Sequence, residues 1–333
     1  MRANLLTKTR HDDDEKLNPS EEQLNELINH YQNRRFDDAE MLSVQITKNF
    51  PKNQLAWNIL GAVLGARGKW TEAVIATQRA VELSPKDAEA HTNLAISLQE
   101  LGRLEEAEAS YKRAIALKPN LTVAHNNLGN TLRGLKKLQE AEESFLRALA
   151  LDPNYAVAYS NLGNTLHELG KLKEAEVSYT KAISLKPDSA EAYSNLGVTL
   201  QSLGRSEEAA ASYKKAITLQ PSYAEAHNNL GNTLKEIGKL GEAQACYTKA
   251  IELRPEYVEA LTNQAAALRG LGKLDQAEAS CKQALALAPN FSEAHKILSQ
   301  ILLCQGRHEE GISESLKGSG RISFSLKRGL CIS

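Results

Sequence analysis

The sequence predicts an all-α protein, a solenoid of stacked helix-turn-helix units. Three observations carry this reading. The stretch Ala124-His125-Asn126-Asn127-Leu128-Gly129-Asn130-Thr131-Leu132 returns almost unchanged at 226–234 and, lightly edited, at 158–166 and 192–200, in steps of 34 residues. Pro51, Pro85, Pro119, Pro153, Pro187, Pro221, Pro255 and Pro289 keep the same interval, and only Pro19 stands outside the series. Apolar residues within each period fall at helical spacing. A fixed period of this size marks stacked units. Such a stack lengthens without enlarging any one core, so 333 residues need not divide into globules.

With each proline placed at position 32, units begin at Ser20, Gln54, Ala88, Thr122, Ala156, Ala190, Ala224, Val258 and Ser292. Residues 1–19 read as a disordered, solvated tail. The run His11-Asp12-Asp13-Asp14-Glu15-Lys16 offers metal-ligand types, but nothing apolar stands beside it to fix them. Residues 20–53 read as a degenerate capping unit. Its Leu24, Leu27, Ile28 and Tyr31 mark one helical face, and Ser20 with Gln23 fits a capping box.

Seven regular units span 54–291. In the one starting at Ala156, the first helix places Ala158, Leu162, Gly163, Leu166 and Leu169 largely on one face. Gly170 then ends it, since glycine accepts the left-handed turn at a helix terminus. Gly68, Gly102, Gly204, Gly238, Gly272 and Gly306 match it, and Lys136 is the exception. The second helix carries Leu172, Ala175, Tyr179, Ala182 and Ile183. Alanines at positions 20 and 27, with Gly or Ala at 8, let helices approach closely, and the aromatic at 24 fills the remaining space. Proline at 32 stops the second helix. The residues after it, Asn120, Asn154, Asp188, Ser222 and Asn290, are expected to cap the next helix.

Residues 292–318 read as a partial C-terminal cap. Its small positions are Ser299, Gly311 and Gly318, and the two glycines predict fraying near Gly318. In 319–333, Arg321 to Lys327 alternates apolar and polar residues, a strand signal. A lone strand is unstable, so this tail is expected either to fold back on the solenoid end or to begin a further domain.

Small residues at 8, 20 and 27, an aromatic at 24 and proline at 32 in a 34-residue period resemble the tetratricopeptide repeat. The resemblance covers 54–291 strongly and the end units weakly. It departs at position 11, usually tyrosine in the family and leucine here (Leu98, Leu132, Leu166). It implies a right-handed superhelix whose first helices line an inner groove.

On the first helices, positions 2, 6, 9 and 13 are left over from the core. Position 6 is asparagine in six consecutive units: Asn93, Asn127, Asn161, Asn195, Asn229 and Asn263. Position 9 adds Asn130, Asn164 and Asn232. Asparagine is a mediocre helix former, so propensity does not explain the column. A carboxamide offers a donor and an acceptor, as a peptide unit does. Packed helices lie about 8–10 Å apart and an extended chain advances about 3.3 Å per residue. One asparagine would meet roughly every third residue of a bound peptide. These nine asparagines are therefore the candidate peptide-binding residues. Two plainer readings compete: the amides stitch neighbouring units together, or duplication copied them without a role. The array also resembles the superhelical region of O-linked N-acetylglucosamine transferases, through Asn-Leu-Gly-Asn at 127–130, 161–164 and 229–232. That implies an alternative, the targeting arm of an enzyme whose catalytic part is absent here.

Other chemistry is excluded or demoted. A carboxylate clamp needs lysine at position 5, which only Lys296 supplies. Position 2 is often acidic (Glu89, Glu191, Glu225, Glu259), which points to partners with some basic character. His91, His125, His227 and His295 share position 4 with Trp57, Tyr159, Tyr193 and Leu261, and that exchange favours packing over a metal array. Cys246 and Cys281 read as core substitutes. No nucleophile–base pair, phosphate loop or zinc motif is present, so no catalytic residue, metal or cofactor is expected. Charge is balanced, 40 basic against 41 acidic side chains, giving no drive toward nucleic acid or membrane. Four cysteines without a C-x-x-C, no signal peptide and no bilayer-length apolar run predict a cytoplasmic protein. Partners are expected to be proteins or peptides, with self-association through the solenoid ends a further possibility.

Overall fold

A computed structural model describes residues 18–319, 323–325 and 329–331 of the chain. The run from 11 to 16 and most of the strand-like tail lie outside them. The chain forms two compact bodies, residues 1–169 and 170–333.

The first body contains α1 (Glu21–Gln32), α2 (Phe36–Asn49), α3 (Gln54–Ala66), α4 (Trp70–Leu83), α5 (Ala88–Glu100), α6 (Leu104–Leu117), α7 (Thr122–Gly134), α8 (Leu138–Leu151) and α9 (Ala156–Glu168). The second contains α10 (Leu172–Leu185), α11 (Ala190–Ser202), α12 (Ser206–Leu219), α13 (Ala224–Glu236), α14 (Leu240–Leu253), α15 (Val258–Gly270), α16 (Leu274–Leu287), α17 (Ser292–Cys304) and α18 (His308–Ser319). Odd-numbered helices are the first of each unit, even-numbered the second. The protein is all-α apart from a two-stranded antiparallel hairpin, β1 (Ser323–Ser325) with β2 (Gly329–Cys331). The strand signal therefore finds its partner within the same tail.

Within each body, each helix packs on its sequence neighbour, as α3 on α4 and α13 on α14. First helices also touch the first helices of adjoining units, as α3 with α5, α5 with α7, α11 with α13 and α13 with α15, whereas no such contact joins second helices among the described residues. The row whose members lie closer together is the inner side of a curved stack. Within each body, then, the first helices form the inner face.

The small residues act as their spacing predicts. Alanines at 20 and 27 are fully or almost fully buried in every regular unit, from Ala73 and Ala80 to Ala277 and Ala284. A Cβ on Gly129 would stand 2.7 Å from Phe145 Cε1, and one on Gly231 would stand 2.6 Å from Tyr247 Cε1, well inside van der Waals contact. First helices end on left-handed residues: Gly68, Gly102, Gly170, Gly204, Gly238, Gly272 and Gly306, with Lys136 (φ 59°) and Arg34 (φ 55°) in the same conformation without glycine's licence. Ser20 and Gln23 form the expected capping box.

One expectation is corrected. Asn120, Asn154, Asp188, Ser222 and Asn290 do not cap helices; the cap is one residue later, at Asn53, Asp87, Leu121, Tyr155, Ser189, Tyr223, Tyr257 and Phe291. The reason is a turn around the proline. Tyr223 N–H bonds to Gln220 O at 3.0 Å and Leu121 N–H to Lys118 O at 3.3 Å, which puts proline second and the polar residue third in a β-turn. The last helix ends at Ser319, one residue past Gly318. A Cβ on Gly318 would lie 3.0 Å from Ser292 O, so this glycine permits close approach to α17.

Candidate functional site

The inner helices present the position-6 asparagines half-buried in both bodies: Asn93, Asn127 and Asn161 in the first, Asn195, Asn229 and Asn263 in the second. They do not stand alone. Asn93 Nδ2 donates to Asn58 Oδ1 at 2.8 Å, Asn161 Nδ2 to Asn126 Oδ1 at 3.1 Å, and Asn263 Nδ2 to Asn228 Oδ1 at 3.1 Å. In each case position 6 reaches back to position 5 of the preceding unit, and the acceptor is an asparagine. Asn126 passes the bond on, donating to Asn127 Oδ1 at 3.1 Å. Asn126 and Asn228 are buried, so the Asn161 and Asn263 rungs each satisfy an amide that water cannot reach, whereas Asn58 is half-buried. The stitching role is therefore real at these sites, and it occupies one Nδ2 hydrogen of each position-6 amide. The Oδ1 atoms of Asn93, Asn161 and Asn263 accept no bond among the described residues, and the Asn229 side chain makes none.

Position 9 points partly into the unit. Asn232 Oδ1 accepts from the Tyr247 hydroxyl at 2.8 Å. Asn130 Oδ1 is buried with no partner, because position 24 of its unit is Phe145. Asn164 is half-buried on α9. Where position 9 is apolar, glutamine at 12 substitutes: Tyr111 and Tyr213 hydroxyls donate to Gln99 Oε1 at 3.3 Å and Gln201 Oε1 at 3.4 Å. Burial pushes Tyr111, Tyr213 and Tyr247 above the usual phenol range, so they remain donors.

In the first body the inner face opens a cavity of about 480 Å³. Position 2 supplies Leu55, Glu89 and Val123; position 6, Ile59 and Asn93; position 9, Ile28 and Ala62; position 13, Gln32. Tyr31, Asn58, Thr92, Leu121 and Ala124 complete the lining. The stripe left over by the core pattern is thus the lining stripe. The acidic column is less free than its sequence implies, since Glu225 is ion-paired with Arg254, whose guanidinium also stacks 4.9 Å over Tyr257.

Position 4 has a specific task. His91, His125, His227 and His295 place Nε2 within 3.0, 2.9, 3.0 and 2.8 Å of the carbonyls of Pro85, Pro119, Pro221 and Pro289, and Trp57 Nε1 donates to Pro51 O at 3.0 Å. A ring N–H one turn into the first helix ties down the proline turn before it. Among the described residues no group of three or more His, Cys, Asp or Glu could hold a metal, and no helix is long and apolar enough to cross a membrane. Cys281 is buried in the core and its thiol is pushed up to about 12 by burial.

Sequence reasoning missed a second inter-unit device. Position 21 pairs with position 16 of the next unit: Glu40 with Lys69, Glu108 with Lys137, Glu176 with Arg205 and Glu278 with Arg307, at 2.6–2.8 Å. The signal was present as a charge of each sign 29 residues apart, and it needed the stacking to be recognised. Glu108 and Glu278 are themselves buried, so the ion pairs and hydrogen bonds to the next unit offset the cost of taking their charge out of water.

Models of the tetratricopeptide repeat match 88–121, 122–155, 224–257 and 258–291, with related repeat models at 24–88, 144–177, 163–204 and 200–238. No curated protein matches the chain in sequence. Among solved structures, the chain is similar to the APC/C hetero-tetramer Cut9–Hcn1, with a TM-score of 0.60 and 18% identity over 80% of this chain and 52% of that one. It thus spans about half of that chain's length. It is also similar to PilF of Pseudomonas aeruginosa, with a TM-score of 0.57 and 22% identity over 64% of this chain and 97% of that one. A third is YrrB, described as a TPR protein with an unusual peptide-binding site, at a TM-score of 0.48 and 27% identity over 56% and 96% of the two chains. The first two similarities are of fold.

Proposed function

The chain belongs to the tetratricopeptide repeat family, and on that premise we propose that it is a non-catalytic scaffold capturing extended segments of partner proteins. One observation carries the reading. The same carboxamide recurs at position 6 of six consecutive units, half-buried on inner helices, with carbonyl oxygens open at Asn93, Asn161 and Asn263 and a whole amide open at Asn229. An open carbonyl accepts a backbone N–H, and the second Nδ2 hydrogen reaches a backbone carbonyl. The rungs hold Asn93, Asn161 and Asn263 in place, so little rotamer freedom is lost there on binding. Each bond nets ~0.5–1.5 kcal/mol, so affinity needs several in series and tolerates many sequences.

A random dodecapeptide display library, panned on the full chain and on the Asn93→Ala, Asn229→Ala double variant, tests this. The native chain enriches peptides, and the variant weakens their binding by about tenfold. A native chain that enriches nothing, or a variant that binds as well, overturns the reading.

The alternative, a targeting arm resembling that of O-linked N-acetylglucosamine transferases, is favoured by the recurring Asn-Leu-Gly-Asn run. The coding sequence downstream of Ser333 decides it. An in-frame glycosyltransferase segment supports this alternative, and a downstream sequence without one removes it.

A further inference from the structure

We propose that the cavity of the first body is an anchor pocket for an apolar side chain flanked by a basic residue on the captured segment. This rests on the groove reading above and names what the groove selects. Apolar residues cluster on the stripe here: Ile59 stands at position 6, where the next six units carry asparagine, Ile28 and Ala62 stand at position 9, and Leu55 and Val123 at position 2, where Glu89, Glu191, Glu225 and Glu259 stand in other units. Its volume of about 480 Å³ falls in the ~300–1,000 Å³ range of ligand pockets. Val123 is 52% and Tyr31 38% exposed, so apolar surface on an inner face stands in water until something covers it.

Charge identifies the neighbour of that side chain. Glu89 is the one charged residue lining the cavity, and among the described residues its carboxylate has no ion pair. A lysine or arginine next to the buried side chain would meet it. Continuity supplies the backbone contact. Asn58 and Asn93, the first amide rung, line the same cavity, so a segment anchored there lays its main chain against the rung.

The same dodecapeptide library is panned on the full native chain and on Val123→Lys, Glu89→Lys and Asn229→Ala. Val123 and Glu89 are exposed, so these variants keep the fold. Peptides enriched by the native chain carry Leu, Ile, Val or Phe beside Lys or Arg. Replacing that apolar residue by serine weakens one enriched peptide about tenfold or more in fluorescence anisotropy. Val123→Lys abolishes the apolar preference, and Glu89→Lys abolishes the basic one. Enriched peptides that lack the pair, or keep it on both variants, overturn the pocket alone; their loss on Asn229→Ala then leaves the groove reading standing. Enrichment of nothing overturns both.

Discussion

The Tyr247 hydroxyl donates to Asn232 Oδ1 at 2.8 Å, and the equivalent Asn130 Oδ1, one of the chain's other position-9 amides, is buried without a donor. The two units hold their rings alike, since a Cβ on Gly129 or Gly231 would meet the aromatic Cε1 at 2.7 or 2.6 Å. A hydroxyl on Phe145 would therefore arrive at Asn130. Phe145→Tyr is expected to stabilise the protein by about 1 kcal/mol, because a buried acceptor gains its bond. Tyr247→Phe should destabilise it by about 1–3 kcal/mol. Urea unfolding of both variants measures this, and a less stable Phe145→Tyr would refute it.

Lys136 holds φ 59° at a helix end where seven other units have glycine in the same conformation. A residue with a Cβ is strained there by ~1–2 kcal/mol. Lys136→Gly loses only an exposed bond to Glu168, which contributes little. A net gain of about 0.5–1 kcal/mol is expected after glycine's extra unfolded-chain entropy. Thermal unfolding beside Lys136→Ala, which should show no such gain, isolates the backbone effect.

The period, the helix pairs and the small-residue contacts were legible because each depends on one spacing, which sequence displays directly. Helix starts were misread because position 33, polar and right after proline, suits both an N-cap and a β-turn. Only the Tyr223–Gln220 bond and its equivalents separate the two. The asparagine column was visible, but its partners were not. Whether Asn161 stitches or waits for a ligand depends on Asn126, 35 residues back, a distance meaningful only once units are stacked. The glutamate–lysine pairs 29 residues apart were hidden for the same reason.

Acid should loosen the C-terminal cap first. Hydrogen bonds from Lys282 and then Arg307 hold the Glu278 carboxyl down to about 2 from its ordinary 4.5. A carboxyl lowered by folding stabilises the native state above its unfolded value, and that contribution is lost as pH falls from about 4.5 toward about 2. Amide exchange in α17 and α18 is expected to accelerate across that window, with Glu278→Gln flattening the dependence. Equal acceleration in native and variant chains would exclude Glu278 as the cause.

Asn161 and Asn229 occupy the same repeat position and should respond differently to the same truncation. Asn161→Ala removes the donor to Asn126 Oδ1 and leaves a buried amide short of a partner. A stability loss of about 1–3 kcal/mol follows. Asn229 makes no side-chain bond among the described residues, so Asn229→Ala should leave urea unfolding nearly unchanged, helped by alanine's better helix propensity. Peptide capture, by contrast, should fall for both. A stability loss at Asn229 equal to that at Asn161, with capture intact at both, would mean that the whole asparagine column serves stacking and that the ligand binds elsewhere.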